Sequence, residues 1–259
     1  MPRPILLNTR PVHAKPLTLQ GADSLPLPLL SLKARELTAD DRAVLGQFLT
    51  VGVDVLTVVS QTAVGYFLGF LREQGIHHAS RLPHIPPIVV AVGEPTADAL
   101  RAFGFDVIVP QQMNNEGMLA LPQIKVLNPK ARVLICKGVG GRQVYADGLT
   151  TLGMNVLGVD WYTRHIPDEL ADNFKNVLSH LKTLNNKPIL FIPITSQMSL
   201  NAWHHIQADR LLNDYDKIYL PLGERLQSLT HNLYPHTKIQ PIHRLDSDYL
   251  SKIIDIYTC

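Results

Sequence analysis

The chain has 259 residues, 46% of them hydrophobic and 18% charged, with a formal net charge of +2. That length suffices for two ordinary domains, the hydrophobic share excludes a disordered chain, and the near-neutral balance argues against a broad nucleic-acid-binding surface. The two cysteines, Cys136 and Cys259, give neither a disulfide framework nor a thiolate zinc site, so a reduced cytoplasmic setting is the expectation.

Met1 to Pro4 leads into a short apolar run, Ile5 to Leu7, without the pattern of a secretory signal. Ile5 to Asn8 reads as a strand, followed by Thr9-Arg10-Pro11 and a loop and helix over 12–21. Leu25 to Leu32 is apolar but studded with proline, which suits an edge or exposed strand. Thr38 caps a helix running to about Leu49. Val55 to Leu71 carries no charge and is long enough to be mistaken for a membrane span. It reads better as two elements. Val55 to Val59 is β-branched and suits a buried strand, and Ser60 or Thr62 then caps a helix through Leu71.

Ile88 to Val92 is the next strand and ends in Gly93-Glu94. Thr96 to Phe103 is a helix, capped by Thr96 with its hydroxyl facing a ligand site, and Gly104 stops it. Val107 to Pro110 is a strand, and Glu116-Gly117-Met118-Leu119 opens a short helix. Arg132 to Cys136 is a strand, followed by the glycine-rich turn Lys137-Gly138-Val139-Gly140-Gly141-Arg142. A helix over 143–152, a strand over 156–162 and a helix over 168–184 complete this stretch. The last has an apolar stripe of Leu170, Phe174, Val177, Leu178 and Leu181.

Pro188 to Thr195 then runs into Ser196-Gln197, a helix, the strand Ile218 to Leu222, and Gly223-Glu224. The order strand, Ser-Gln, helix, strand, Gly-Glu therefore occurs twice, first from Val51 to Glu94 and again from Pro188 to Glu224. A final helix spans 246–257. Alternating strands and helices predict parallel sheets, and the repeat predicts two similar α/β lobes. Ligands bind at the carboxyl ends of strands in such folds, so two lobes would present a cleft. Pairing of connector strands near 25–32 and 156–162 predicts that the first lobe is discontinuous. It would hold 1–33 and 163–259, with 34–162 forming the second.

The glycine turn 137–142 lets backbone N–H groups approach an anion. It lacks the Gly-Lys-Ser/Thr ending of a nucleotide P-loop and the spacing of a dinucleotide site. It also reads as no more than a tight strand-to-helix turn. The eleven histidines form no metal-binding spacing: His77-His78 and His204-His205 are adjacent pairs. No metal is expected. Nor is a Ser-His-Asp or Cys-His order visible. Tyr162 is the one phenol at the end of a connector strand, and its plainer role is that of an interface aromatic.

Taken together, the motifs resemble the uroporphyrinogen-III synthase family. The matching residues are Thr9-Arg10-Pro11, Val59 to Val64, Ala91 to Ala97, Glu116 to Leu119, Lys137 to Arg142, Trp161-Tyr162-Thr163-Arg164 and Thr195-Ser196. Two departures stand out: Lys137-Gly138 replaces the family's usual Arg-Gly, and Gly223-Glu224-Arg225-Leu226-Gln227 lacks its usual threonine. The resemblance implies two α/β lobes joined by a two-stranded ladder. It implies an enzyme that closes hydroxymethylbilane, a linear tetrapyrrole, into a ring while inverting the last pyrrole and losing water, without cofactor or metal. It further implies substrate binding by Arg10, Ser60, Thr96, Gly138, Gly140, Gly141, Arg142 and Ser196, with Tyr162 as a general acid. No nucleic-acid or membrane partner is expected, and a monomer is. The competing readings are a two-lobed solute-binding module and a catalytically inactive, tetrapyrrole-binding relative.

Overall fold

The computed structural model describes residues 2–12, 17–141 and 143–258. The chain forms two compact units, Met1–Leu32 with His165–Cys259, and Lys33–Arg164.

The first unit is built on a five-stranded sheet. Its strands are β1 (Ile5–Asn8), β2 (Asp23–Pro26), β9 (Leu190–Ile194), β10 (Lys217–Pro221) and β11 (Lys238–Ile239). They lie in the order β11-β10-β9-β1-β2, and every pairing is parallel. All five residues of β9 are buried, as a parallel strand covered on both faces requires. Alternation along the strands sorts side chains to the two faces. Ile5, Leu7, Ile192 and Tyr219 pack with Phe174 and Val177 of α7 (Leu170–Thr183) and Trp203 of α8 (Gln197–His205). Leu6, Phe191, Ile218 and Leu220 pack with Leu250, Ile253 and Ile254 of α11 (Ser247–Ile256).

The second unit repeats this plan with four parallel strands in the order β5-β4-β6-β7. These are β4 (Val55–Val58), β5 (Ile88–Ala91), β6 (Arg132–Lys137) and β7 (Asn155–Asp160). On one face Val55, Val90, Val133 and Ile135 pack with Met118 of α4 (Asn115–Ala120) and with Tyr145 and Leu149 of α6 (Val144–Thr151). On the other, Leu56, Val58, Leu134 and Cys136 are buried. The uncharged stretch after residue 55 divides into β4 and the helix α2 (Gln61–Glu73), and among the described residues no helix is long and apolar enough to cross a membrane.

The helices α1 (Ala39–Thr50) and α5 (Pro122–Lys125) belong to the second unit and α9 (Ala208–Leu211) to the first, and the internal repeat is visible as matched elements. Ser60 caps α2 by accepting from the Ala63 N–H, and Ser196 caps α8 by accepting from the Ser199 N–H. Gly93 and Gly223 are the N-cap residues of α3 (Glu94–Ala102) and α10 (Glu224–Leu233).

The connector strands differ from the sequence expectation. The stretch 25–32 divides in two: Leu25 and Pro26 end β2 within the five-stranded sheet, and a separate strand β3 (Ser31–Ala34) follows. Pro26 and Pro28 lack the N–H groups that a continuous ladder would need. Likewise 155–160 belongs to the four-stranded sheet, and the partner of β3 is β8 (Tyr162–His165). The two-stranded ladder is thus displaced toward the C-terminal side of both expected segments. Two smaller expectations also fail. Residues 17–21 form no helix, and His13 to Pro16 lie outside the described residues. Val107 to Pro110 contributes only a single bridge, Ile108 to Val90, because the chain leaves the sheet at Pro110.

Candidate functional site

The C-terminal ends of β4 and β6 in the second unit converge on Tyr162. Its ring is only 2% exposed. Its hydroxyl lies 3.0 Å from Ser60 Oγ and accepts a hydrogen bond from Arg164 Nη2 at 2.9 Å. Arg164 also lies over the ring, 5.1 Å from its centroid, and Tyr66 of α2 stacks on it at 6.4 Å. The phenol is therefore held by a cation, a hydroxyl and an aromatic neighbour at once.

The local sequence explains why the ring can sit there. β6 ends at Lys137 and the glycine turn begins. A Cβ on Gly138 would come 2.5 Å from Tyr162 Cζ, so only glycine lets the turn close over the ring. The Val139 N–H donates to the Tyr162 carbonyl at 2.8 Å, and the Trp161 N–H donates to the Lys137 carbonyl at 2.8 Å. These bonds lock the turn to the strand that carries Tyr162. Gly140, at φ +69°, takes the left-handed conformation that reverses the chain. Ser60 serves two ends at once, because its Oγ also accepts from the Ala63 N–H at 3.1 Å.

Beside this constellation lies a cavity of about 220 Å³. Val59, Val92 and Ile135 supply apolar surface, Tyr145 of α6 lines it, and Lys137 and Arg164 bring cationic character. Lys137 is neutralised in part by Asp160, whose Oδ1 lies 2.8 Å from its Nζ. Gly141 reaches the same space. The volume is equivalent to about seven waters and falls below the ~300 Å³ at which drug-sized ligand sites begin. It suits one ring of a larger ligand.

Tyr145 was not singled out by its sequence context. It is 2% exposed, its hydroxyl lies 3.1 Å from Thr57 Oγ1 in the middle of β4, and burial pushes its phenol up to about 12 against the pull of that hydrogen bond. Lys137 was noted only as a departure in the glycine turn. The motif that holds Arg164 does not by itself mark it as the partner of the Tyr162 hydroxyl. Their convergence depends on the parallel order of β4 and β6, which brings residues far apart in sequence to one sheet end.

The sequence-predicted residues divide between the units. Ser60, Gly138 and Tyr162 meet in the second unit, and Gly141 lines the adjoining cavity. Thr96 belongs to the same unit but does not cap its helix. Gly93 is the N-cap, α3 starts at Glu94 with Pro95 in its first turn, and Thr96 lies inside the helix at 4% exposure. Proline is favoured at the first helical positions, where its missing N–H costs nothing, so the helix begins earlier than the threonine suggested. Arg142 lies outside the described residues.

Arg10 and Ser196 belong to the first unit. Arg10 follows β1, its Nε donates to Asn8 Oδ1 at 3.2 Å, and burial lowers its pKa from the ordinary arginine value. Ser196 forms a capping box with Ser199. Arg225, near the start of α10, donates to Gln197 Oε1 at 3.2 Å across the ends of β9 and β10. Among the described residues, no three or more His, Cys, Asp or Glu side chains gather so as to hold a metal ion.

Two parallel-sheet α/β units, one of which holds a buried tyrosine between a capping serine and an arginine at its strand ends, define a class of mixed α/β protein with its polar site beyond the strand termini. The family model described as "Uroporphyrinogen-III synthase HemD" matches residues 12–218, and the chain belongs to the uroporphyrinogen-III synthase family. The chain is 34% identical over 128 residues to uroporphyrinogen-III synthase from Escherichia coli strain K12, covering 49% of this chain and 48% of that protein. It is 33% identical over 113 residues to the Salmonella typhimurium enzyme of the same name, covering 43% and 44%. The matches thus span about half the length of these relatives. The fold is similar to the crystal structure of uroporphyrinogen-III synthetase from Helicobacter pylori 26695, with a TM-score of 0.59 and 15% identity over 99% of this chain and 100% of that one.

Proposed function

We propose that this protein is a uroporphyrinogen-III synthase, converting hydroxymethylbilane to the macrocycle with its last pyrrole inverted. In that reaction the carbon–oxygen bond of the hydroxymethyl group breaks and the hydroxyl leaves with a proton as water. The freed methylene carbon bonds the substituted α-carbon of the last pyrrole, and that carbon's bond to its original bridge breaks. The bridge re-bonds to the pyrrole's other α-carbon, which releases the proton that balances the one given to the leaving hydroxyl. The observation that carries the reading is the Tyr162 phenol, held by Ser60 and Arg164 beside a one-ring cavity, in a chain of this family. Tyr162 is the group assigned to give the leaving hydroxyl its proton, with Arg164 supporting the charge left on the phenol oxygen.

Most of the work is positional. Uncatalysed closure needs no inversion, so the enzyme has to hold the chain where the uninverted closure is out of reach. The carboxylates of the substrate find N–H donors and a cation at the strand ends of the second unit, from the glycine turn and Arg164, while Arg10, Ser196 and Arg225 offer polar groups of the same kind at the strand ends of the first. The two units are assigned as the two lobes of the synthase. A monomer in a reduced cytoplasmic setting, without a nucleic-acid partner, completes the proposal.

The test is incubation with freshly prepared hydroxymethylbilane and chromatographic resolution of the product isomers. Isomer III formed faster than the spontaneous reaction supports the reading. Isomer I alone, at the spontaneous rate, would reject it in favour of an inactive tetrapyrrole-binding relative.

A further inference from the structure

We propose that the buried hydroxyl pair Tyr145–Thr57 is a positioning device that keeps the site selective for the inverted product; this rests on the synthase reading above. The pair lies on the face of the second sheet that carries the cavity. Thr57 is fully buried in the central strand β4, between Thr57↔Val90 and Thr57↔Ile135 in the sheet register. Val59, Val92 and Lys137 lie one pleat further along the same face, and all three line the cavity. Tyr145 comes from the first turn of α6, lines that cavity, and reaches down to Thr57 at 3.1 Å. It is a polar tie sunk into an otherwise apolar cluster of Val55, Val90, Met118, Ile135 and Leu149.

A tie in that place has a geometric consequence. α6 starts two residues after the end of the glycine turn, so the bond to Thr57 fixes how deep the first turn of α6 sits against the sheet. That depth sets the cavity wall that Tyr145 shares with Gly141 and with Gly138, where the turn rests on the Tyr162 ring. Packing alone would be served as well by Phe and Val, which have the same shapes. Two buried hydroxyls add direction, because a hydrogen bond weakens steeply away from its preferred geometry. The pair is not assigned as catalytic; it acts through the shape of the cavity wall.

The experiment is a cycle of Tyr145→Phe, Thr57→Val and the double variant, each assayed for the ratio of isomer III to isomer I, for KM and kcat, and for melting temperature. Each single variant leaves one buried hydroxyl without its partner and should melt lower, while the double variant, with both hydroxyls gone, should recover most of that loss. The isomer ratio should behave differently. It should fall several-fold in Tyr145→Phe, fall equally in Thr57→Val, and stay low in the double variant despite its recovered melting temperature. A ratio and KM at wild-type values in the double variant would overturn the inference and leave the pair as ordinary core packing. Wild-type protein that makes only isomer I defeats the functional reading, and this inference with it. Wild-type protein that makes isomer III, with an unaltered ratio in all three variants, defeats this inference alone.

Discussion

Tyr162 makes two separable contributions, one through its hydroxyl and one through its ring. Removing the hydroxyl alone, in Tyr162→Phe, deletes the contacts to Ser60 and Arg164 and leaves the stacking on Tyr66 in place. If the hydroxyl donates a proton in the reaction, turnover should fall on the order of a hundredfold with little change in KM. A melting temperature close to wild type, recorded alongside, separates this from unfolding. Wild-type turnover in this variant would end the general-acid assignment and leave positioning as the mechanism. Gly138→Ala attacks the same ring from the other side. Its Cβ would meet Tyr162 at 2.5 Å with rigid ring atoms in the way, so the turn or the ring has to move. Overpacking of this kind costs about 1–3 kcal/mol, and here it should also lower isomer-III formation, because either shift alters the fit of the turn to the Tyr162 ring. Thermal melts and the isomer assay on the same preparation check both halves.

At the scale of elements, the two serine caps give a built-in comparison. Ser60 and Ser196 occupy equivalent places in the repeat, and each accepts an N–H bond at the start of its helix. Alanine at either position should cost about 0.5–2 kcal/mol through loss of the cap. Ser60→Ala should in addition lower turnover, because the same oxygen holds the Tyr162 hydroxyl. Denaturant unfolding and kcat for Ser60→Ala and for Ser60→Asn, which restores a capping side chain of different reach, separate the cap from the contact. An unchanged kcat in Ser60→Ala would show that the contact is dispensable. These caps were legible in the sequence because a polar residue follows a buried β-branched run, a pattern that local physics enforces in both repeats. The connector ladder was legible as a pair of strands but not in its exact place. Its strands, β3 and β8, are short and half exposed, with no alternation to set them apart from the β2 and β7 stretches just before them. Thr96 misled for a related reason, since a threonine after a strand reads as a cap unless the preceding Gly93 and Pro95 are weighed first. The tie between Tyr145 and Thr57 spans 88 residues, and only the sheet register brings its ends together.

On the scale of the whole molecule, the two units carry different alkaline sensitivities. In the second unit burial pushes the Cys136 thiol up from 9.0 to about 12, and the Tyr145 phenol up from 10.0 to about 12. In the first, burial and the charge of Asp209 raise both Tyr219 and Tyr234, the latter to about 12. Every one of these folded values lies above its unfolded value. The unfolded chain therefore releases its proton first as pH rises, so stability is complete below the unfolded pKa and declines above it. Cys136 starts that decline near pH 9 and the tyrosines near pH 10. At pH 9.5, half a unit above its unfolded value, the thiol already costs the second unit on the order of 1 kcal/mol, whereas the tyrosines, still below theirs, cost a small fraction of that. The chain supplies its own reporters, since one of its two tryptophans, Trp161, lies in the second unit and the other, Trp203, in the first. Urea unfolding of Trp203→Phe, followed by Trp161 fluorescence, should therefore shift to lower midpoint between pH 8 and 9.5. Unfolding of Trp161→Phe, followed by Trp203, should stay nearly fixed over that range and move only above pH 10. Cys136→Ala in the first of these backgrounds should abolish the early shift. Equal shifts in both reporters at pH 9.5, or a shift that survives the loss of the thiol, would mean that the units unfold as one cooperative body or that another group titrates first.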